Sequence, residues 1–401
     1  MEFSTDITAS TTAGRADLRA AGPIAVLGLG TAWMGTAIGW RQAALLVVGA
    51  AAGVVLYHAA FGFTSAWRVL ISDRRGAGVR AQMLMLAATC LVFFPVLASG
   101  SFFGQPVRGS IAAPGLAVVA GAFIFGVGMQ LGGGCASGTL YSAGGGSTRM
   151  LLVLAAFIAG SLWGTAHSTW WSALPAWAPT SIVQMWGPLI ALAVSAAAFG
   201  GIAWLTMRAE RRRHGRLLPA DPAEPDIWRG PWPLAAGALG LALVNISVLA
   251  ISGRPWGITG AFALWGAKVA ALVGIPVETW PYWSAPAQAA ALRASVLADA
   301  TSVTNAGIMI GALIAAMMAG RFAPAWKVPP RSIVAAVIGG LLLGYGARAA
   351  SGCNIGAYFS GIASGSLHGW IWLPAAFAGN ILGTRLRPWF GLGVERTPSS
   401  C

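Results

Sequence analysis

Long apolar stretches fill this chain, and few charges interrupt them. "AALLVVGAAAGVVLYHAA" (43–60) and "LAAGALGLALVNISVLAIS" (234–252) are two of many. A run of about 18 or more apolar residues is long enough, as a helix, to cross the hydrocarbon core of a bilayer. With hydrophobic residues at 57% and charged residues at only 9%, a soluble globular fold is excluded. The expected class is an all-α polytopic membrane protein with the lipid bilayer as its solvent. Nineteen tryptophans, many near expected span ends, fit interfacial aromatic belts. The first 22 residues are polar and Thr/Ala-rich, without the apolar core of a signal peptide, so the first span is expected to stay in the mature chain.

The apolar runs place about ten transmembrane helices, at 23–40, 42–60, 79–99, 111–131, 149–170, 186–207, 232–252, 301–320, 331–347 and 369–386. Gly-rich segments near 61–70, 132–147, 256–270 and 349–366 break the pattern. Each is too short to span and too apolar for a free loop, which predicts four re-entrant half-helices. The organisation read from this is a cytoplasmic tail (1–22), a first repeat (23–207), a basic linker (208–230), a second repeat (231–390) and a cytoplasmic tail (391–401).

The formal charge of +14 does not point to nucleic acid, because the arginines lie between apolar spans. With both termini inside, Arg15, Arg19, Arg74, Arg75, Arg80, Arg149 and the linker "RAERRRHGRLLPADPAEPDIWRG" face the cytoplasm. Arg41, Arg108, Arg254, Lys268, Arg293 and Arg348 fall on the other side, fewer in number, as the positive-inside rule requires.

The two halves repeat. "FGVGMQLGGGCASGTLYS" (125–142) aligns with "LGYGARAASGCNIGAYFS" (343–360) at an offset of 218 residues. The matched pairs are Gly126/Gly344, Gly128/Gly346, Gly134/Gly352, Cys135/Cys353, Gly138/Gly356 and Ser142/Ser360. After one inserted residue come Gly146/Gly365, Ser147/Ser366, Gly160/Gly379, Gly164/Gly383 and Thr165/Thr384. A weaker match pairs "FGFTSAW" (61–67) with "WGITGAF" (256–262). Equivalent elements lie an odd number of spans apart, so the halves are expected to insert in opposite orientations, as an inverted structural repeat.

The chemistry concentrates at the paired cysteines. Glycines on either side let the backbone turn and let helices approach. A half-helix starting at Cys135 or Cys353 turns its free N–H groups and positive dipole end toward an anion. A neutral thiol there is a weak donor and a soft contact for a sulfur-bearing ligand. The dipole also favours the thiolate, which would repel an anion, and sequence leaves that opposition open. Cys90, inside "LAATCLVFF", reads as a small packing residue, and Cys401 ends a polar tail. "GGGCASGTL" lacks the Lys-Ser/Thr of a phosphate-binding loop. His58, His167, His214 and His368 have no metal-ligand spacing with either thiol, so no metal or other cofactor is expected. No Asp or Glu lies mid-span, so no carboxylate proton relay is visible.

The candidate substrate-binding residues are Cys135, Cys353, Gly134, Gly352, Ser137 and Asn354, with Gly62, Thr64 and Thr259 in the weaker motif. Lys268 and Arg348 join them as cations that concentrate an anion at the outer mouth, against the plainer reading that they snorkel to the interface. Asn245, Asn305 and Asn380 are either neutral ligands or glue between helices.

"GGGCASGTLYSAGGGS", "WGITGAFALWGAK", "TSVTNAGIMIGA" and "SGCNIGAYFSGIASGSLHGW" together resemble the YeeE/YedE family of sulfur-compound membrane proteins, which includes thiosulfate permeases. The resemblance covers most of residues 55–390. It implies an inner-membrane importer of thiosulfate or a related sulfur or selenium anion, with half-helices meeting near the membrane centre. It also implies that Cys135 and Cys353 hand the ion along by S–H contacts, and that a small cytosolic sulfur carrier of the TusA type is a partner. Family members often carry a further cysteine in a stretch like "RFCFTGAFR"; here the segment is "AFGFTSAWR", with Gly62 at that place. Two other classes fit the same residues: a membrane sulfurtransferase or thiol oxidoreductase using the thiols covalently, and a passive anion channel with the thiols as lining.

Overall fold

The computed structural model describes residues 13–221 and 224–395. The outer parts of both expected tails, Cys401 among them, lie outside the described residues. In chain order the first helices are α1 (Ala13–Ala37), α2 (Trp40–His58), α3 (Phe63–Asp73), α4 (Ala77–Ser99), α5 (Leu116–Gly132) and α6 (Ala136–Gly144). They are followed by α7 (Thr148–Ala166), α8 (Ser168–Ser172) and α9 (Ile182–His214). The rest of the chain forms α10 (Leu234–Ser252), α11 (Thr259–Leu272), α12 (Pro281–Ser284), α13 (Pro286–Arg293) and α14 (Ala300–Met318). It ends with α15 (Pro330–Ala349), α16 (Ser360–Ala363) and α17 (Leu367–Leu386).

The protein is therefore an all-α polytopic membrane protein. Among the described residues, nine helical segments are long and apolar enough to cross a membrane, against about ten expected. The tenth, at 369–386, is the twenty-residue α17, which is not among the nine. His368, Trp370, Trp372, Asn380 and Arg385 lower its hydropathy, and it packs along α5. Exposed leucines and valines such as Leu29, Leu189 and Val26 form an apolar perimeter, as expected of a chain whose solvent is lipid.

The four predicted breaks all appear as short helices. They are α3, α6, α11, and a wide i→i+5 turn at Asn354–Phe359 that runs into α16. Their first residues are buried rather than at the surface: Phe63, Ala136, Thr259 and Asn354 are all 3% exposed or less. The predicted linker begins as helix, because α9 carries "RAERRRH" on to His214. Arg and Glu are good helix formers, and Glu210 is fastened to Arg80 and to the Gly76 N–H. Residues 273–299, which gave no sequence signal, fold into α12 and α13 and bury Trp283 and Val277 against α11.

Helix packing occurs in matching sets. α5 lies on α17 as α15 lies on α7, and α4 lies on α10 as α14 lies on α2. α4 meets α16 as α14 meets α6, and α5 crosses α15 at the centre. These are the pairings a duplicated unit would generate. Between them lies a core of fully buried aromatics, including Phe63, Trp67, Phe125, Phe157, Tyr358 and Trp372.

Candidate functional site

Two chain breaks build the centre. α5 ends where Gly133 takes φ +85°, a left-handed conformation that glycine adopts without a Cβ clash. Gly134 follows, and Cys135 then takes the extended backbone that opens α6. The second break repeats the plan. Beyond α15, Ser351 and Gly352 take φ +57° and +147°, and Cys353 opens the wide turn. A Cβ on Gly352 would lie 2.8 Å from Ala357 N, so both backbone angle and space require glycine.

Each cysteine carbonyl is pinned by the turn it starts. Cys135 O accepts from Thr139 N and Thr139 Oγ1, both at 2.8 Å. Cys353 O accepts from Ala357 N at 2.8 Å and Tyr358 N at 3.3 Å. Neither helix start is closed by a side-chain cap. The N–H groups of these first turns lack helical acceptors and face the thiol that opens each turn. Both thiols are free and buried, 2% and 0% exposed. Cys135 Sγ lies 3.3 Å from Ser137 Oγ and over the first turn, 3.6 Å from where a Gly138 Cβ would be.

The two starts meet: α6 packs against the Asn354–Phe359 turn. Asn354 is fully buried, and neither its Oδ1 nor its Nδ2 has a partner. A buried amide with both ends unpaired is costly, about 1–3 kcal/mol per group. Such a group calls for a partner from outside the chain, a water or a bound ligand. The other asparagines join helices, although Asn305 Oδ1 also has no partner. Asn245 joins Ser360 and Trp256 N, Asn305 Nδ2 donates to Ile258 O, and Asn380 joins Gln130.

The remaining candidates separate into those drawn together and those drawn away. Arg348 Nη2 donates to Thr259 Oγ1 at 2.8 Å, joining the end of α15 to the start of α11. Arg348 also lines a cavity of about 270 Å³ with Tyr282, Trp171 and Ser351. Lys268 is occupied elsewhere: its Nζ donates to Leu292 O and Ala294 O, both at 2.7 Å. Thr64 is buried with an unpartnered Oγ1, and its carbonyl accepts from Gln130 Nε2. Gly62 caps α3, and Ser65 Oγ fills the place its Cβ would take. Cys90 is buried in α4, consistent with a packing role.

Sequence reading passed over Gln82, Tyr358 and Arg68. Tyr358 stacks on Trp372 and meets Trp67 edge-on, while its hydroxyl donates to Gln82 Oε1 at 3.3 Å. Arg68 reaches both Gln130 and Glu395. A glutamine or arginine inside an apolar stretch was the available signal. Among the described residues no three of His, Cys, Asp and Glu come together to hold a metal ion.

A helical bundle whose broken helices start at buried positions and pack against one another is the architecture of a membrane transporter. Residues 58–382 match the family described as sulphur transport, and the chain belongs to it. It is 33% identical over 175 residues to the probable transporter YedE of Salmonella typhimurium, covering 41% of this chain and 40% of that protein. It is 26% identical over 352 residues to the thiosulfate transporter TsuA of Spirochaeta thermophila, covering 81% of this chain and 93% of that protein. The Escherichia coli protein of the same name is 23% identical over 356 residues, 82% of this chain and 89% of its own length. The matches to the YedE relatives span about two-fifths of those proteins' length.

Proposed function

We propose that this chain imports thiosulfate or a related sulfur-containing anion across a bacterial inner membrane. The observation that carries the reading is the meeting of two uncapped helix starts, each bearing a buried thiol, beside the unpartnered amide of Asn354. Membership of a sulphur transport family supplies the class, and the relatives named as thiosulfate transporters favour the ion.

The anion's oxygens take the N–H groups at the starts of α6 and of the Asn354–Phe359 turn, where helix dipoles favour negative charge. Its terminal sulfur takes the soft S–H groups of Cys135 and Cys353. A thiolate would repel the ion, so the working form is the neutral thiol. The matching helix pairings support a duplicated fold. With the halves inverted and both termini cytoplasmic, Cys353 receives the ion from outside and Cys135 releases it inward. A small sulfur carrier of the TusA type would collect sulfur on the inner face.

The test is uptake of labelled thiosulfate into proteoliposomes. Cys135→Ala and Cys353→Ala should each slow the initial rate by roughly tenfold or more, the loss of one strong contact in a dry site. Wild-type rates in both variants would overturn the proposal.

A further inference from the structure

Gln82, near the start of α4, is fully buried, and its amide is held in one orientation. Trp67 Nε1 donates to its Oε1 at 2.9 Å, and the Tyr358 hydroxyl donates to the same atom at 3.3 Å. An indole nitrogen can only donate, so the atom facing it is the amide oxygen. The –NH₂ group therefore points the other way, and Nε2 has no partner. A buried donor left without an acceptor is costly enough that folded proteins rarely keep one without use.

Gln82 lines a cavity of about 300 Å³ that also takes in Gly62, Ser65 and Ala66 at the start of α3. Gly62, at the N-cap of that eleven-residue helix, offers no side chain to its first N–H groups, and the Ser65 hydroxyl donates to Gly62 O at 3.2 Å. The first intrahelical bond runs from Ala66 N to Gly62 O at 3.0 Å, so the N–H groups of residues 63–65 have no helical acceptor. The ionic groups around this cavity are already paired. Glu210 accepts from Arg80, Gly76 N and Leu218 N, and Arg75 lies 3.4 Å from Asp73 as an ion pair, its Nε making no hydrogen bond. What the cavity has to offer is unpaired N–H groups.

We infer that Gln82 Nε2 and the first turn of α3 form a second anion station, apart from the thiol pair, that binds the oxygen atoms of a sulfur oxyanion. The inference rests on the importer reading and deepens it. Amide N–H groups are hard donors matched to sulfonate-type oxygens, whereas the thiols are soft and matched to a terminal sulfur. The two stations read opposite ends of the ion. The Gln82 station accepts any tetrahedral sulfur oxyanion, and selection for the terminal sulfur is left to Cys135 and Cys353.

Gln82→Glu keeps both acceptor contacts to Trp67 and Tyr358 and replaces the donor with an oxygen. It should raise the KM for thiosulfate uptake by tenfold or more in proteoliposomes with the melting temperature retained; an unchanged KM overturns the inference. A second measurement needs no change at Gln82. Ser65→Cys places a thiol on the cavity wall, and its alkylation by N-ethylmaleimide is followed by peptide mass. Sulfate should slow that alkylation several-fold while chloride at equal ionic strength does not. Equal rates in the two salts overturn the station. If the wild-type chain carries no thiosulfate, the importer reading falls, and the sulfate protection still decides whether this cavity binds an oxyanion.

Discussion

Gly126 and Gly379 face each other where α5 crosses α17: a Cβ on Gly126 would lie 2.1 Å from Ala376 O, and one on Gly379 would lie 2.1 Å from Phe123 O. Their repeat counterparts meet in the exchanged pair of helices. A Cβ on Gly344 would lie 2.3 Å from Phe157 O, and one on Gly160 would lie 2.3 Å from Leu341 O. The glycines that match in sequence are thus the ones at which backbones touch, the usual way for helices to pack where no hydrophobic effect drives them together. Gly126→Ala and Gly344→Ala are each expected to cost about 1–3 kcal/mol through overpacking. Gly200→Ala, on α9 with nothing within 4 Å of its Cβ, should instead gain up to about 1 kcal/mol of helix propensity. Melting in detergent compares the three; equal melting temperatures would contradict this account.

Asn354 allows function and stability to be separated. It makes no hydrogen bond in the structure, so Asn354→Ala breaks none. The expected outcome is an unchanged or raised melting temperature with a KM for thiosulfate roughly tenfold higher, the size of one lost polar contact to a charged ligand. A large fall in stability with unaltered KM would make Asn354 a structural residue.

The sequence revealed the spans, the breaks and the paired cysteines because each is a local pattern: an apolar run, a glycine cluster, a motif seen twice. It did not reveal what Gln82 does, since that depends on Trp67 of α3 and Tyr358 from the other half of the chain, 276 residues away. Its neighbours in sequence put Lys268 at an outer mouth. Residues 273–299 fold back over α11 and supply the two carbonyls that occupy it. Arg348 and Thr259 were each visible as candidates, but the bond between them was not, because only the fold sets the end of α15 against the start of α11.

That bond has a measurable consequence. Thr259→Val keeps the shape of the side chain and removes the acceptor for Arg348 Nη2, whose guanidinium already has an unpartnered Nε. The change should cost about 0.5–1.5 kcal/mol, the net worth of a hydrogen bond whose donor is only part-buried. Thr259→Ser should retain most of that stability. Thermal melts of the two variants check it, and the account fails if valine and serine behave alike.

Glu395 fastens the segment after α17 over α3: its carboxylate accepts from Arg68 Nε at 2.6 Å and Arg68 Nη2 at 2.5 Å. Arg387 Nε holds the same segment through Gly393 O at 2.8 Å. The Arg68 hydrogen bonds keep the Glu395 carboxyl below the usual carboxylate range. A carboxyl with a lowered folded-state pKa contributes its stabilisation fully above the ordinary value, about 4.3. That contribution is lost as pH falls through the lowered value. The pair is partly exposed, so its worth is about 1 kcal/mol or less. Hydrogen exchange of residues 391–395, corrected for intrinsic rates, should show protection at pH 7 that falls by up to about fivefold at strongly acid pH, the Arg387 bond remaining. Glu395→Gln should be less protected at pH 7 already and should change little on acidification, because the variant has no carboxyl to titrate. Equal protection of the wild type and Glu395→Gln at neutral pH would show that the ion pair adds nothing to the hold of Arg387 on the segment.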